Sequence, residues 1–225
     1  MKPILPLFLF ISLNTFAQNK QVSLFNGKNF KGWHIDVPAM DSLPSANPFI
    51  IRNGYLVSLA KPEGHIITDK SYKNYELEVQ YRFPAEPGNC GVLVHCSTPR
   101  ILYKMFPKSI EVQLMHDHEG DFWCIGANIE VPDMEKRRGL KLNWGIIEGK
   151  ERQIKALKNA EKPLGEWNTI IVQCLKDRVK VWINGQYVNE GFNSTVQSGQ
   201  IALQAEGSEM EFRKIALRSI TKLSK

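Results

Sequence analysis

Tyr75-Glu76-Leu77-Glu78-Val79-Gln80-Tyr81-Arg82-Phe83 alternates apolar and polar side chains without a break. Successive side chains of a strand point to opposite faces, so this stretch predicts a half-buried β-strand with one apolar and one polar side. The same period recurs downstream. Val92, Val94 and Cys96 interleave with Leu93 and His95, and Val179, Val181 and Ile183 with Lys180 and Trp182. Ile201 and Leu203 alternate with Gln204 and Glu206, while 169–175 and 210–217 read as two further strands, the second mixed in pattern. Asn-Gly at 26–27, 53–54 and 184–185 is the strongest short hairpin cue, and Pro87-Gly88-Asn89 turns the chain ahead of Val92. Many short strands punctuated by turns predict an all-β antiparallel sandwich. One helical segment is expected, at about 148–159. No internal repeat, low-complexity run or interdomain linker interrupts the pattern.

The ends and the composition narrow the function classes. Residues 1–17 have the form of a secretory signal peptide: Lys2, an apolar run from Ile4 to Leu13, and small residues in Thr15-Phe16-Ala17. The expected product is exported, periplasmic or extracellular, with residues 18–225 as one sandwich domain of roughly 208 residues. The apolar run is too short to span a bilayer, so no transmembrane segment is expected. Formal net charge is +6, and the excess is local. From Met134 to Pro163 nine basic residues face four acidic ones, a surplus of five. Mixed charges without a nucleic-acid motif predict a solvated insertion and no nucleic-acid partner. Cys90, Cys96, Cys124 and Cys174 show no Cys-x-x-Cys spacing. An exported protein could pair them, though not Cys90 with Cys96, which stand at opposite ends of one strand; the other reading is small buried residues.

The chemistry concentrates in Ser109-Ile-Glu-Val-Gln-Leu-Met-His-Asp-His-Glu-Gly-Asp-Phe-Trp123. On a strand Glu111 and Gln113 share one face, and Ile110, Val112 and Leu114 take the other. An apolar underside with a carboxylate and an amide on top suits the floor of a polar cleft. Alternation puts His116 on the face opposite Glu111 unless the strand bends near Met115. His116-x-His118 is also a candidate metal pair, with Asp117, Glu119 or Asp121 as helpers; calcium would prefer the oxygens and zinc the imidazoles. No ligand set has complete spacing, so no cofactor is assigned. Dinucleotide-binding, phosphate-loop, zincin and nucleophile-elbow motifs are absent.

Taken in order, several pieces resemble the 3-keto-disaccharide hydrolase family over about Ser23 to Ser219. They are Leu24-Phe25-Asn26-Gly27-Lys28 with Gly32-Trp33; Gly88-Asn89-Cys90-Gly91-Val92, where Cys90 replaces the usual serine; and Ile110-Glu111-Val112-Gln113. Gly120-Asp121-Phe122-Trp123, Pro163 to Asn168, Val181 to Gly185, Gly199 to Gln204, Glu206-Gly207 and Phe212-Arg213 complete the set. The resemblance implies a concanavalin- or laminarinase-like jelly roll acting on glycosides already oxidised to a ketone at sugar carbon 3. It also implies that a separate sugar 3-dehydrogenase supplies that substrate.

A 3-ketone acidifies the hydrogen on carbon 2, so a base can form an enolate that expels the aglycone from carbon 1, with water adding later. Such a site needs a base, an enolate stabiliser and an acid for the leaving group. A retaining glycosidase instead needs two carboxylates about 5–5.5 Å apart. Laminarinase-like enzymes place them on one strand as Glu-x-Asp-x-x-Glu, whereas this strand reads Glu111-Val112-Gln113-Leu114-Met115-His116. The missing second carboxylate favours the ketone-activated route. Glu111, His95 and His116 are the catalytic candidates, His95 because it shares a face with Leu93 opposite Val92 and Val94. Gln113, Asp121, Trp123, Lys180, Trp182, Gln204 and Glu206 are the candidate substrate-binding residues, with Arg213 a possible structural partner of Glu206. A non-catalytic carbohydrate-binding module and a conventional glycoside hydrolase of the same fold are the alternatives.

Overall fold

The computed structural model describes residues 20–224, so the signal segment lies outside the described residues. Fifteen strands follow one another among the described residues. The first seven are β1 (Val22–Ser23), β2 (Trp33–Asp36), β3 (Phe49–Arg52), β4 (Tyr55–Ser58), β5 (Gly64–Thr68), β6 (Tyr75–Arg82) and β7 (Gly91–Cys96). Then come β8 (Ser109–Gln113), β9 (Phe122–Ile125), β10 (Gln153–Ile154) and β11 (Asn168–Leu175). The last four are β12 (Arg178–Ile183), β13 (Gln186–Gly191), β14 (Gln200–Ala205) and β15 (Met210–Ser219). They form two antiparallel sheets. One runs β13-β12-β11-β6-β15-β4-β3 with β1 beside β15, and the other runs β10-β9-β8-β7-β14-β5-β2.

The expected alternation builds the core between the sheets. Leu77, Val79 and Tyr81 of β6 and Val172, Val181 and Phe212 of its sheet pack against Val92, Val94, Ile110, Val112, Ile201 and Leu203 of the other. Cys90, Cys96, Cys124 and Cys174 are all buried free thiols, as small core residues would be. The mixed pattern of β15 has a cause: its register against β6 shifts between Phe212 and Lys214, a bulge that changes which parity faces inward.

Three local expectations need correction. Asn53-Gly54 and Asn184-Gly185 close the β3–β4 and β12–β13 hairpins. Asn26-Gly27 does not close one, because β1 pairs with β15 and β2 with β5. Its turn is instead held locally, Asn26 Oδ1 accepting from the Lys28 and Asn29 amides. The basic insertion does contain a short helix, α1, but at Met134–Arg138 rather than 148–159. Residues 152–157 are drawn out by non-local hydrogen bonds: Cys124 N to Arg152 O, Lys155 N to Arg137 O, and Leu157 N to Val188 O. Those pairings and β10 override the helix propensity of the Lys/Glu-rich segment. The insertion is also less solvated than its charge suggests, since Arg137 and Arg138 are buried and bonded to Asn189 and Asn128 side chains.

Candidate active site

Strand β8 delivers its polar pair outward. Ile110 and Val112 enter the core, and Glu111 and Gln113 emerge on the outer face of the seven-stranded sheet. Glu111 lies between Leu93 of β7 and Trp123 of β9 in register. Gly91, opposite Gln113, makes the room: a Cβ there would sit 2.0 Å from Glu111 Oε1. The Gly-Asn-Cys-Gly motif therefore has a packing reason at its last position.

Around this floor lies a cleft of about 310 Å³, lined by Glu63, Asn89, Tyr103, Met105, Phe106, Glu111, Gln113, Trp123, Arg152 and Glu206. That volume falls at the lower end of small-ligand sites, about 300–1,000 Å³. One wall is the segment after β7. It covers a second apolar cluster of Ile67, Leu93, Cys96, Leu102, Ile125 and Ala202, against which Phe106 packs. Arg100 anchors the start of this wall through Asp36, Nε to Oδ1 at 2.7 Å. The opposite wall comes from β9 and the basic insertion. Arg152 lies with its guanidinium 5.1 Å from the Trp123 ring centroid and 5.5 Å from that of Tyr103. It is the one basic side chain among the cleft-lining residues.

The electrostatics centre on Glu111, which is 4% exposed. Burial pushes its carboxyl up from the ordinary 4.5 to about 8; nearby Glu206 adds to the rise and Arg152 opposes it. Glu206 is raised too, by burial and then by Glu63, against a hydrogen bond from Asn89. Gln204 Nε2 donates to Glu206 Oε2 from behind. Three buried polar atoms around the cleft have no partner among the described residues: Asn89 Oδ1, Trp123 Nε1 and Gln204 Oε1. Buried polar groups are normally satisfied, so such a cluster is what a hydroxyl-rich ligand or its water would complete.

The structure thus gathers Glu111, Gln113, Trp123 and Glu206 in one cleft, with Gln204 behind. It puts five other candidates elsewhere. His95 is fully buried and sits at φ 58° where β7 bulges: Leu93 pairs with Ala202 but Cys96 with Gln200. The extra residue reverses the alternation, so Cys96 joins Leu93 on the outer side and His95 turns into the core against Tyr75, ring centroids 5.7 Å apart. Its Nδ1 lies 3.2 Å from Val196 O, and burial pushes it down to about 4. His116 is not carried to the cleft by any bend. It reaches Glu161 instead, Nδ1 to Oε2 at 2.6 Å.

Asp121 is 3% exposed and ties down the insertion, accepting from Gln153 Nε2 at 2.7 Å and the Ala156 amide at 2.5 Å. Lys180 and Trp182 belong to β12, in the other sheet. Their polar face looks away from the cleft, with Lys180 3.4 Å from Glu190 and Trp182 packed on Tyr187. Arg213 likewise bonds Gln80, not Glu206. His116 and His118 do not act as a pair either, since His118 faces Asp121 at 3.4 Å.

Sequence reasoning missed Arg152, Tyr103, Phe106, Asn89, Glu63 and Met105. Asn89 had a signal, its place in the glycine motif. Arg152 was hidden among nine basic residues of the insertion, and the 101–106 wall carries no periodic pattern. His65 was missed as well. It is fully buried beside Phe106, ring centroids 5.3 Å apart, and burial pushes it down to about 3, so it is neutral.

A jelly-roll sandwich with a carboxylate-floored, aromatic-walled cleft on one sheet is the architecture of a carbohydrate-active protein. The chain belongs to the 3-keto-alpha-glucoside-1,2-lyase-like domain family, whose model matches residues 20–218. This bears out the family resemblance read from the ordered motifs. Among solved structures, a "putative glycosyl hydrolase" from Parabacteroides distasonis is 22% identical, with 90% of this chain and 95% of that one covered at a TM-score of 0.62. The carbohydrate-binding module CBM66 from Bacillus subtilis is 11% identical, covering 84% and 96% with a TM-score of 0.56. The laminarinase catalytic domain from Thermotoga maritima is also 11% identical, covering 90% and 98% with a TM-score of 0.55. These likenesses establish the jelly-roll fold. No match was found among curated proteins. No helix among the described residues is long and apolar enough to cross a membrane.

Proposed function

We propose that this protein cleaves the glycosidic bond of 3-keto-glycosides by elimination across carbons 1 and 2, followed by hydration. The observation that carries this reading is the Glu111 carboxyl, buried on the cleft floor and poised at about 8, where a carboxylate is a stronger base than usual. Glu111 takes the proton from carbon 2, and the electron pair moves onto the ketone oxygen as an enolate. Arg152, held between Trp123 and Tyr103, supplies the positive charge for that oxygen. Return of the pair forms the C1=C2 double bond and breaks the bond from carbon 1 to the aglycone oxygen. That oxygen takes a proton from Glu206, whose raised pKa suits an acid. Water then adds across the double bond, giving net hydrolysis. Gln113 and Asn89 bind sugar hydroxyls, and Trp123 with Phe106 offers apolar faces for the ring.

The family's name for its domain supports the substrate class. With His95 and His116 outside the cleft, the base role falls on Glu111. The ketone has to be supplied by a separate oxidising enzyme, a sugar 3-dehydrogenase. We also infer export, from the form of residues 1–17; intact-mass analysis of protein secreted by a producing cell would show removal of about 17 residues.

The test is a panel of 3-keto-disaccharides and aryl 3-keto-glucosides run beside their unoxidised parents. Aglycone release from the keto forms alone is expected, with Glu111→Gln losing about 10²–10⁴-fold. Binding without turnover of any keto-sugar would instead assign a carbohydrate-binding module. Equal cleavage of the parents would assign a conventional glycosidase.

A further inference from the structure

Away from the cleft, three side chains with metal-ligating atoms meet at the turn that joins β8 to β9. One ligand atom each of His116, Glu119 and Glu161 lies within 4.8 Å of the others. Glu119 is only 1% exposed, and neither of its carboxyl oxygens has a hydrogen-bond partner among the described residues. The Glu161 side chain is 6% exposed and faces His116 Nδ1 at 2.6 Å. Two largely buried carboxyl groups and a partly exposed imidazole therefore converge, with no Lys or Arg among them. The Tyr81 hydroxyl, close enough to feel the charges of Glu119 and Glu161, is buried and likewise without a partner among the described residues. Buried carboxylates without donors are strongly disfavoured unless a cation or a proton neutralises them.

We propose that His116, Glu119 and Glu161 form a binding site for one first-row divalent cation, zinc or manganese. One nitrogen and two carboxylates make a mixed set that suits these ions, with solvent able to fill a remaining position beside the partly exposed His116. Calcium is disfavoured, since it takes about six to eight oxygen ligands. The ion would bridge the turn after β8 to the segment around Glu161. It would thereby fix the end of the strand that carries Glu111 and Gln113. His118 plays no part, because it faces Asp121.

The experiment uses the untagged full chain, stripped with EDTA and desalted, then titrated with zinc chloride and separately with manganese chloride. Retained metal is counted by plasma mass spectrometry, and thermal unfolding is followed with and without the ion. The expected result is one equivalent of zinc or manganese per chain and a rise in Tm on loading. Glu119→Gln and His116→Ala should each weaken binding at least tenfold and abolish the rise, while His118→Ala keeps both. If Glu119→Gln fails to fold, His116→Ala at a partly exposed position decides. Wild-type protein that retains neither metal, or His116→Ala that binds like the wild type, overturns the site and leaves a proton shared between Glu119 and Glu161.

Discussion

Replacing Glu111 by Gln should stabilise the protein in a pH-dependent way while destroying its activity. The amide keeps the shape of the side chain and removes its charge. In the folded protein the carboxyl is raised from 4.5 to about 8, chiefly by burial. Between those values the unfolded chain has given up this proton and the folded chain keeps it. The folded state then binds more protons, so its stability falls as pH rises. The loss starts above pH 4.5, grows through the neutral range and is complete above about 8. At 1.36 kcal/mol per pH unit, that interval amounts to about 5 kcal/mol. The assay is urea unfolding of wild type and Glu111→Gln from pH 4.5 to 9. The stability gap in favour of the variant should widen with pH and flatten above 8, with unchanged m-values. A gap that is constant or narrows with pH would refute the account of a buried, poised carboxylate. A site that gives up stability for a reactive group is a common trade in enzymes.

Further outcomes follow from the same geometry. Arg152→Ala should lower kcat for keto-glycosides by about 10²–10³-fold, and Arg152→Lys should rescue it only partly because an ammonium lacks the planar stacking on Trp123 and Tyr103; steady-state kinetics on one aryl 3-keto-glucoside checks both. Gly91→Ala forces its Cβ into the Glu111 carboxyl and should cost about 1–3 kcal/mol in urea unfolding, with activity falling more than stability accounts for. For an aryl 3-keto-glucoside whose leaving group needs no proton from Glu206, kcat/KM should climb with pH through about 8, since the base must be ionised and Glu111 is held that high; a profile for that substrate already flat from pH 5 would remove Glu111 from that role. His65 and His95, pushed down by burial to about 3 and about 4, are neutral when folded. Below pH 6.5 the unfolded chain takes up protons that the folded chain refuses, so stability falls on acidification by about 1.4 kcal/mol per pH unit for each of them. His95→Asn, tolerated at positive φ, should remove about half of that acid slope and leave the His65 share, as urea unfolding between about pH 4 and 6.5 would show.

The fold was legible because several of the longer strands carry a period-two pattern, β6, β8, β12 and β14 among them, and Tyr75–Phe83 alone fixes one face of the core. Glu111 and Gln113 were legible for the same reason, since Ile110 and Val112 leave them nowhere but outward. His95 was misplaced by that very rule: a bulge of one residue against Gln200–Ala202 reverses its side, and nothing in Val92–Cys96 announces it. Lys180 and Trp182 show a second limit. Alternation identifies a polar face without saying which sheet the strand joins, and β12 lies in the sheet opposite the cleft. Arg152 shows a third. Its role comes from β10 pairing with β9 and from contact with Tyr103, both long-range in sequence, so its charge alone read as part of a solvated insertion. Glu119 and Glu161 are 42 residues apart, and only the folded turn brings them to His116.

The claim that bond cleavage begins with removal of the carbon-2 proton by Glu111 is tested most directly with a 3-keto-glucoside deuterated at carbon 2. The account predicts a primary isotope effect on aglycone release by the wild type. It also predicts solvent hydrogen at carbon 2 of the hydrated product, and loss of both cleavage and exchange in Glu111→Gln. Release with no isotope effect and with the deuterium retained at carbon 2 would contradict it, because the bond to the aglycone would then break without the enolate.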